Sequence, residues 1–218
     1  MSELASEPLG TAPPRTQTEY ERTRDGAYIA EPTPSQTVGP FFGYALPFPG
    51  GPDVVPAGHP DAITVHGYVY DGDGNPIPDA ILDFWQAAPD GSRTGTPGTL
   101  RVDASSGELL GRDGVRFTGF GRVATTGDGH WALHTLPPAA DAPYISVGVF
   151  ARGLLHHLYT RIYLPGTPDD ALLSGLPAER RGTLRAHEDG TVAAGRAYRF
   201  DIRIQGDESE ETVFLAFA

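Results

Sequence analysis

The chain has no cysteine, which excludes disulfide bridges, thiolate metal sites and cysteine nucleophiles. It has no lysine either: its 16 basic residues are all arginine, set against 28 acids, for a formal net charge of −12. A surface of that sign repels phosphate backbones, and the sequence has no basic stripe interleaved with aromatics, so nucleic acid is not an expected partner. An anionic substrate would need a local arginine to overcome the general field. Nowhere is there an apolar run near the roughly 18 residues of a membrane span, and the first thirty residues lack the apolar core of a signal peptide. The expectation is a soluble, cytoplasmic protein with no membrane partner.

What is present points to strands. Hydrophobic residues make up 39% of the 218 and aromatics 10%, enough for one packed core, while 28 glycines and 21 prolines favour turns over long helices. The expected fold is all-β: a mainly antiparallel β-sandwich with Greek-key-like connections, one or two short helices and a disordered N-terminal arm. The arm is residues 1–31, which show no hydrophobic period, and the sandwich domain is 32–218.

Apolar alternation predicts strands at 63–70, 80–86, 119–126, 130–136, 144–151, 157–164, 198–204 and 212–217. Asp71-Gly-Asp-Gly-Asn-Pro76 predicts a turn. Thr167 as N-cap with Pro168 at the first helical position predicts a short helix. Residues 87–117 contain few large apolar side chains and predict a long loop. Trp85, Trp131, Phe120 and Phe150 lie in strand patterns and are expected in the core. Arg122, Arg161, Arg199 and Arg203 are expected to pair with acids, and Asp207–Glu211, with four acids in five residues, reads as a solvated turn. His130 and His134 could share a metal on a helix, but on a strand they stand about 13 Å apart. His156 and His157 point to opposite faces of a regular strand.

Several combinations resemble the intradiol ring-cleavage dioxygenases over roughly residues 33–217. They are Thr33-Pro34-Ser35-Gln36-Thr37-x-Gly39-Pro40-Phe41, Gly67-x-Val69-x-Asp71-Gly72-x-Gly74-x-Pro76 leading to Leu82-x-x-Trp85-Gln86, Phe150-Ala151-Arg152-Gly153, His157-x-Tyr159-Thr160-Arg161-x-Tyr163, and Tyr198-Arg199-Phe200-Asp201-Ile202-Arg203. In that family two tyrosinates and two histidines hold a ferric iron, a hard donor set that leaves room for a catechol. The resemblance implies that the two histidines would stand at Tyr144 and Ser146, which are therefore vacated ligand positions. No tyrosine lies between Trp85 and Phe117 for the first tyrosinate, and the loop before Tyr144 is too short for the second.

The resemblance thus implies an alpha chain of a two-chain family member that binds no metal itself. Its beta partner would carry Fe(III), and several alpha-beta pairs would form a higher hetero-oligomer. The joint reaction would open 3,4-dihydroxybenzoate between its hydroxyl-bearing carbons with both atoms of O2, giving 3-carboxy-cis,cis-muconate. In this chain Arg152, Thr37, Gly39, Pro40 and Phe41 would line the partner's pocket, with Arg152 taking the substrate carboxylate through its planar fork. On its residues alone, Arg152 reads rather as an ion-paired strand end, and the resemblance reverses that preference. A transthyretin-like binding module and a self-sufficient catechol dioxygenase are the alternative readings.

Overall fold

The computed structural model describes residues 36–96, 100–112, 114–192 and 195–216, together with the backbone of 21–22 and 28–29. The chain divides into two units, Met1–Ser35 and Gln36–Ala218. In the first, β1 (Glu21–Arg22) pairs antiparallel with β2 (Tyr28–Ile29), a two-residue ladder in a stretch expected to have none. The rest of the arm expected over 1–31 lies outside the described residues.

The second unit runs from helix α1 (Phe42–Ala45) into β3 (Ile63–Tyr70), β4 (Ile81–Trp85), a hairpin of β5 (Leu100–Val102) and β6 (Leu109–Arg112), then β7 (Phe120–Ala124), β8 (His130–Thr135), β9 (Ile145–Phe150) and β10 (Leu158–Ile162). Short helices α2 (Ala171–Gly175) and α3 (Ala178–Arg181) precede β11 (His187–Val192), β12 (Gly195–Arg199) and β13 (Ile202–Arg203). One sheet has the order β10-β9-β4-β7 and is antiparallel throughout. The other is mixed: β11-β12-β3-β13 with β8 also on β3, and both β12 and β13 run parallel to β3.

Alternation decides which side chains meet between the sheets. On β3 the residues Ile63, Val65 and Val69 point inward, and on β8 Trp131 and Leu133 do. Leu82, Phe84, Val147, Val149 and Ile162 face them from the antiparallel sheet, and the Phe84 and Trp131 rings lie 5.1 Å apart across the core. Burying each such side chain stabilises the fold by about 1.5–3 kcal/mol, so the core outweighs any single polar contact. One polar link also crosses it. Thr135 Oγ1 donates to Gln86 Oε1 at 2.8 Å, while Gln86 Nε2 donates to the Leu136 carbonyl at 2.9 Å, fixing the end of β4 against the end of β8.

Five sequence expectations need correction. The strand expected at 198–204 is two strands, because Phe200 swings in against β3: a Cβ on Gly67 would sit 1.9 Å from the Phe200 carbonyl oxygen. Asp201 Oδ1 accepts the Tyr68 N–H left free by that bulge, at 3.1 Å. Residues 212–216 form no strand, although the Leu215 N–H donates to the Tyr159 carbonyl at 2.8 Å. The expected long loop over 87–117 contains the β5–β6 hairpin. The helix after Pro168 starts later, with Asp170 rather than Thr167 as its cap, its carboxylate accepting the Leu173 N–H at 3.0 Å. Of the four aromatics expected inside, Trp131 is buried, but Trp85 is 39% exposed and Phe120 and Phe150 are half-buried. These three belong to the outward register of the antiparallel sheet, where strand pattern alone does not reveal the face.

Candidate functional site

That outward face carries the positions singled out by sequence. The register sets Trp85 opposite Ser146, and Ser146 opposite Arg161. Tyr144, two residues before Ser146, shares its side of the strand. Arg161 reaches across it, with its guanidinium carbon 3.7 Å from the centre of the Tyr144 ring. The same guanidinium pairs with Asp170 at 3.4 Å and donates to the Tyr163 hydroxyl at 3.3 Å. Tyr163 in turn donates to Asp170 at 2.9 Å, and its ring stands 6.0 Å from that of Tyr144. Burial pushes the Tyr163 phenol up to about 12, with the neighbouring Asp170 adding to the rise and Arg161 opposing it.

This cluster does not suit ferric iron. Its one carboxylate is already engaged by a guanidinium, a phenol and the N–H of Leu173. The phenol of Tyr163 already spends its hydroxyl on Asp170. A fixed positive charge over Tyr144 would repel a trivalent cation brought close to Ser146. Among the described residues no group of three or more histidine or acidic side chains has metal-binding geometry. What the cluster can do is structural: Asp170 caps α2 while anchoring Arg161, so the helix is tied to the sheet edge beneath it.

The remaining candidate residues lie in two other places. Gly39 adopts φ +83°, which favours glycine, and the turn that follows buries Phe42 while leaving Phe41 75% exposed. Thr37 and Pro40 are exposed beside it. Arg152 lies in the turn just after β9 and pairs with Asp79 at 2.5 Å while its side chain remains 71% exposed. In the chain by itself, then, Arg152 is held as an ordinary strand-end ion pair.

The strand-borne arginines hold acids as expected. Arg122 grips Asp83 with two 2.7 Å hydrogen bonds across β4 and β7, which raises the arginine pKa. Arg199 pairs with Asp201 at 2.9 Å, and Arg203 with Glu210 at 3.6 Å. Asp207 caps its own turn by accepting from Ser209 and Glu210, so its carboxyl lies below the usual range. Sequence reasoning missed Asp170. The signal was available, since Asp followed three residues later by a buried leucine is a cap pattern, but Thr167-Pro168 offered a competing start.

The comparisons with known proteins start from the fold. No family model matches the chain. The dioxygenase domain of a dioxygenase carbohydrate-binding protein fusion from Streptomyces sp. SirexAA-E aligns with a TM-score of 0.50 at 27% identity, covering 81% of this chain and 99% of that one. The sandwich is therefore of the kind found in a dioxygenase domain. Two curated relatives narrow this further. One from Burkholderia cepacia is 39% identical over 203 residues, and one from Pseudomonas putida is 36% identical over 217. They cover 84% and 85% of this chain, and each match spans 96% of the relative. Both are protocatechuate 3,4-dioxygenase alpha chains. The chain belongs to that alpha-chain family, within the intradiol ring-cleavage dioxygenases, a family whose chemistry implies iron.

Proposed function

We propose that this chain pairs with a protocatechuate 3,4-dioxygenase beta chain and completes the pocket in which that partner holds Fe(III). The pair cleaves 3,4-dihydroxybenzoate with O2 to 3-carboxy-cis,cis-muconate, and several pairs assemble into a larger hetero-oligomer in the cytoplasm. Relatives matched over more than four fifths of the chain favour this over a transthyretin-like module. The observation that carries the division of labour is Arg161, whose cation lies over Tyr144 where the family's metal-binding strand would present an imidazole. No helix among the described residues is long and apolar enough to cross a membrane, which is compatible with that location.

Within the pocket, Thr37, Gly39, Pro40 and Phe41 form a wall and Arg152 receives the substrate carboxylate. Gly39 sets the bend of that wall, and the buried Phe42 holds it to the domain so that Phe41 faces outward. Arg152 would exchange Asp79 for the substrate, or share its fork between the two carboxylates. Excluding water around the carboxylate strengthens that contact and helps orient the ring.

Two measurements test the reading. Iron content is compared between this chain expressed alone and co-expressed with a beta chain in iron-replete medium. Iron only in the complex is the expected result, whereas stoichiometric iron in the lone chain would establish a self-sufficient enzyme. Arg152→Ala in the complex should raise KM for 3,4-dihydroxybenzoate about tenfold or more, the loss of a charge-assisted hydrogen bond, while leaving KM for catechol nearly unchanged. Equal effects on the two substrates would remove Arg152 from carboxylate recognition.

A further inference from the structure

A cavity opens beside the start of β3, the end of β8 and the start of β12. It has a volume of about 710 Å³, in the range of pockets that enclose small organic molecules. Its walls are Ile63, Leu136, Pro137 and Pro138, a flat apolar surface with Ile63 and Leu136 buried. The Leu136 carbonyl is pinned by buried Gln86, so this wall is preformed.

The rim has a particular polarity. Arg196 lies on it, and among the described residues it has no carboxylate partner; its guanidinium carbon stands 5.9 Å from the Tyr198 ring. Arg196 is exposed, and in a chain of charge −12 an arginine without a carboxylate partner beside an apolar cavity is a local source of positive charge. His59 also lines the cavity. Its Nδ1 accepts the Asp61 N–H at 3.2 Å. Asp61 completes the rim and repels any second negative charge.

We infer that this cavity is a binding site for a small monocarboxylate with a flat apolar body, such as an aromatic acid. The carboxylate engages Arg196 and the ring packs on the proline wall. Both Asp61 and the net charge select against polycarboxylates. The inference does not depend on the proposed ring-cleavage site, because none of the cavity residues named here belongs to it.

The probe is 4-fluorobenzoate, followed by fluorine NMR on the full chain purified together with its partner chain. The expected result is a saturable bound resonance that Arg196→Gln weakens about tenfold or more, as for loss of a charge-assisted ion pair, and that Thr191→Trp at the rim removes by filling the opening. Arg101→Gln, on exposed β5, should leave it unchanged. Benzoate should displace the probe, whereas benzene-1,3,5-tricarboxylate should not. Binding at the ring-cleavage pocket, if present, gives a separate resonance insensitive to Arg196→Gln, so failure of one site leaves the other readable. No resonance sensitive to either cavity variant would overturn the inference, as would displacement by the tricarboxylate as effective as by benzoate.

Discussion

The cluster around Tyr144 and the segment around Phe41 have opposite characters. In the first, every charged group has a partner within the chain: Arg161 holds Asp170, Asp170 caps a helix, and Tyr163 closes the ring of contacts. In the second, Thr37, Pro40 and Phe41 are exposed, and Arg152, which lies elsewhere, likewise keeps most of its side chain in solvent. The closed region satisfies itself and leaves little room for chemistry. The open segment is bent by Gly39 and anchored by Phe42 but left exposed, which is what the proposed pocket wall would require. Under the proposed reading, in which Tyr144 and Ser146 stand at ligand positions, charge and packing from Arg161 and Asp170 occupy the place of the metal.

The comparison can be broken most forcefully at Arg161. Arg161→Ala removes the contact with Tyr144 and strands the partly buried Asp170, and should cost about 2–4 kcal/mol of unfolding free energy in a denaturant titration. A loss below about 0.5 kcal/mol would mean that the cluster holds nothing together.

Tyr163 gives the next largest effect, with a defined sign. Its phenol is raised from an unfolded value near 10 to about 12, so its contribution is fully present below pH 10 and is lost as pH rises through 12. Roughly 2–3 kcal/mol should disappear across that window, and Tyr163→Phe should flatten the loss relative to the parent chain. Identical alkaline profiles for the two would argue against the burial-driven shift.

Restoring histidines tests the electrostatic part of the contrast. The double variant Tyr144→His with Ser146→His should still take up no stoichiometric iron, measured by elemental analysis, while Arg161 remains. Full iron loading of that double variant would show that the guanidinium is no obstacle.

The smallest effects belong to the open region. Phe41→Ser and Arg152→Ala should each change the stability of this chain by no more than about 0.5–1 kcal/mol, because one is a solvent-exposed side chain and the other a largely exposed ion pair. Phe41→Ser should nevertheless weaken association with the partner chain, read as a rise in the dissociation constant by analytical ultracentrifugation. Unchanged association would separate Phe41 from the interface.

Sequence alone determined the sandwich class, six of its strands nearly to their ends, the turn at Asp71–Pro76 and the acid-pairing role of the strand arginines, because alternation and turn chemistry are local properties of the chain. The proposed ligand positions at Tyr144 and Ser146 rest on single residues read against a family pattern. What surrounds them was not legible. Arg161 and Asp170 come from β10 and the start of α2, and only strand pairing brings them to Tyr144. The break at Phe200 likewise follows from a backbone approach to Gly67 that lies 133 residues away in sequence, and the outward placing of Trp85, Phe120 and Phe150 from the choice of which sheet face is covered. Periodicity says that two faces exist, but packing between distant segments decides which one meets solvent, which charges meet each other and which arginine is left over a cavity.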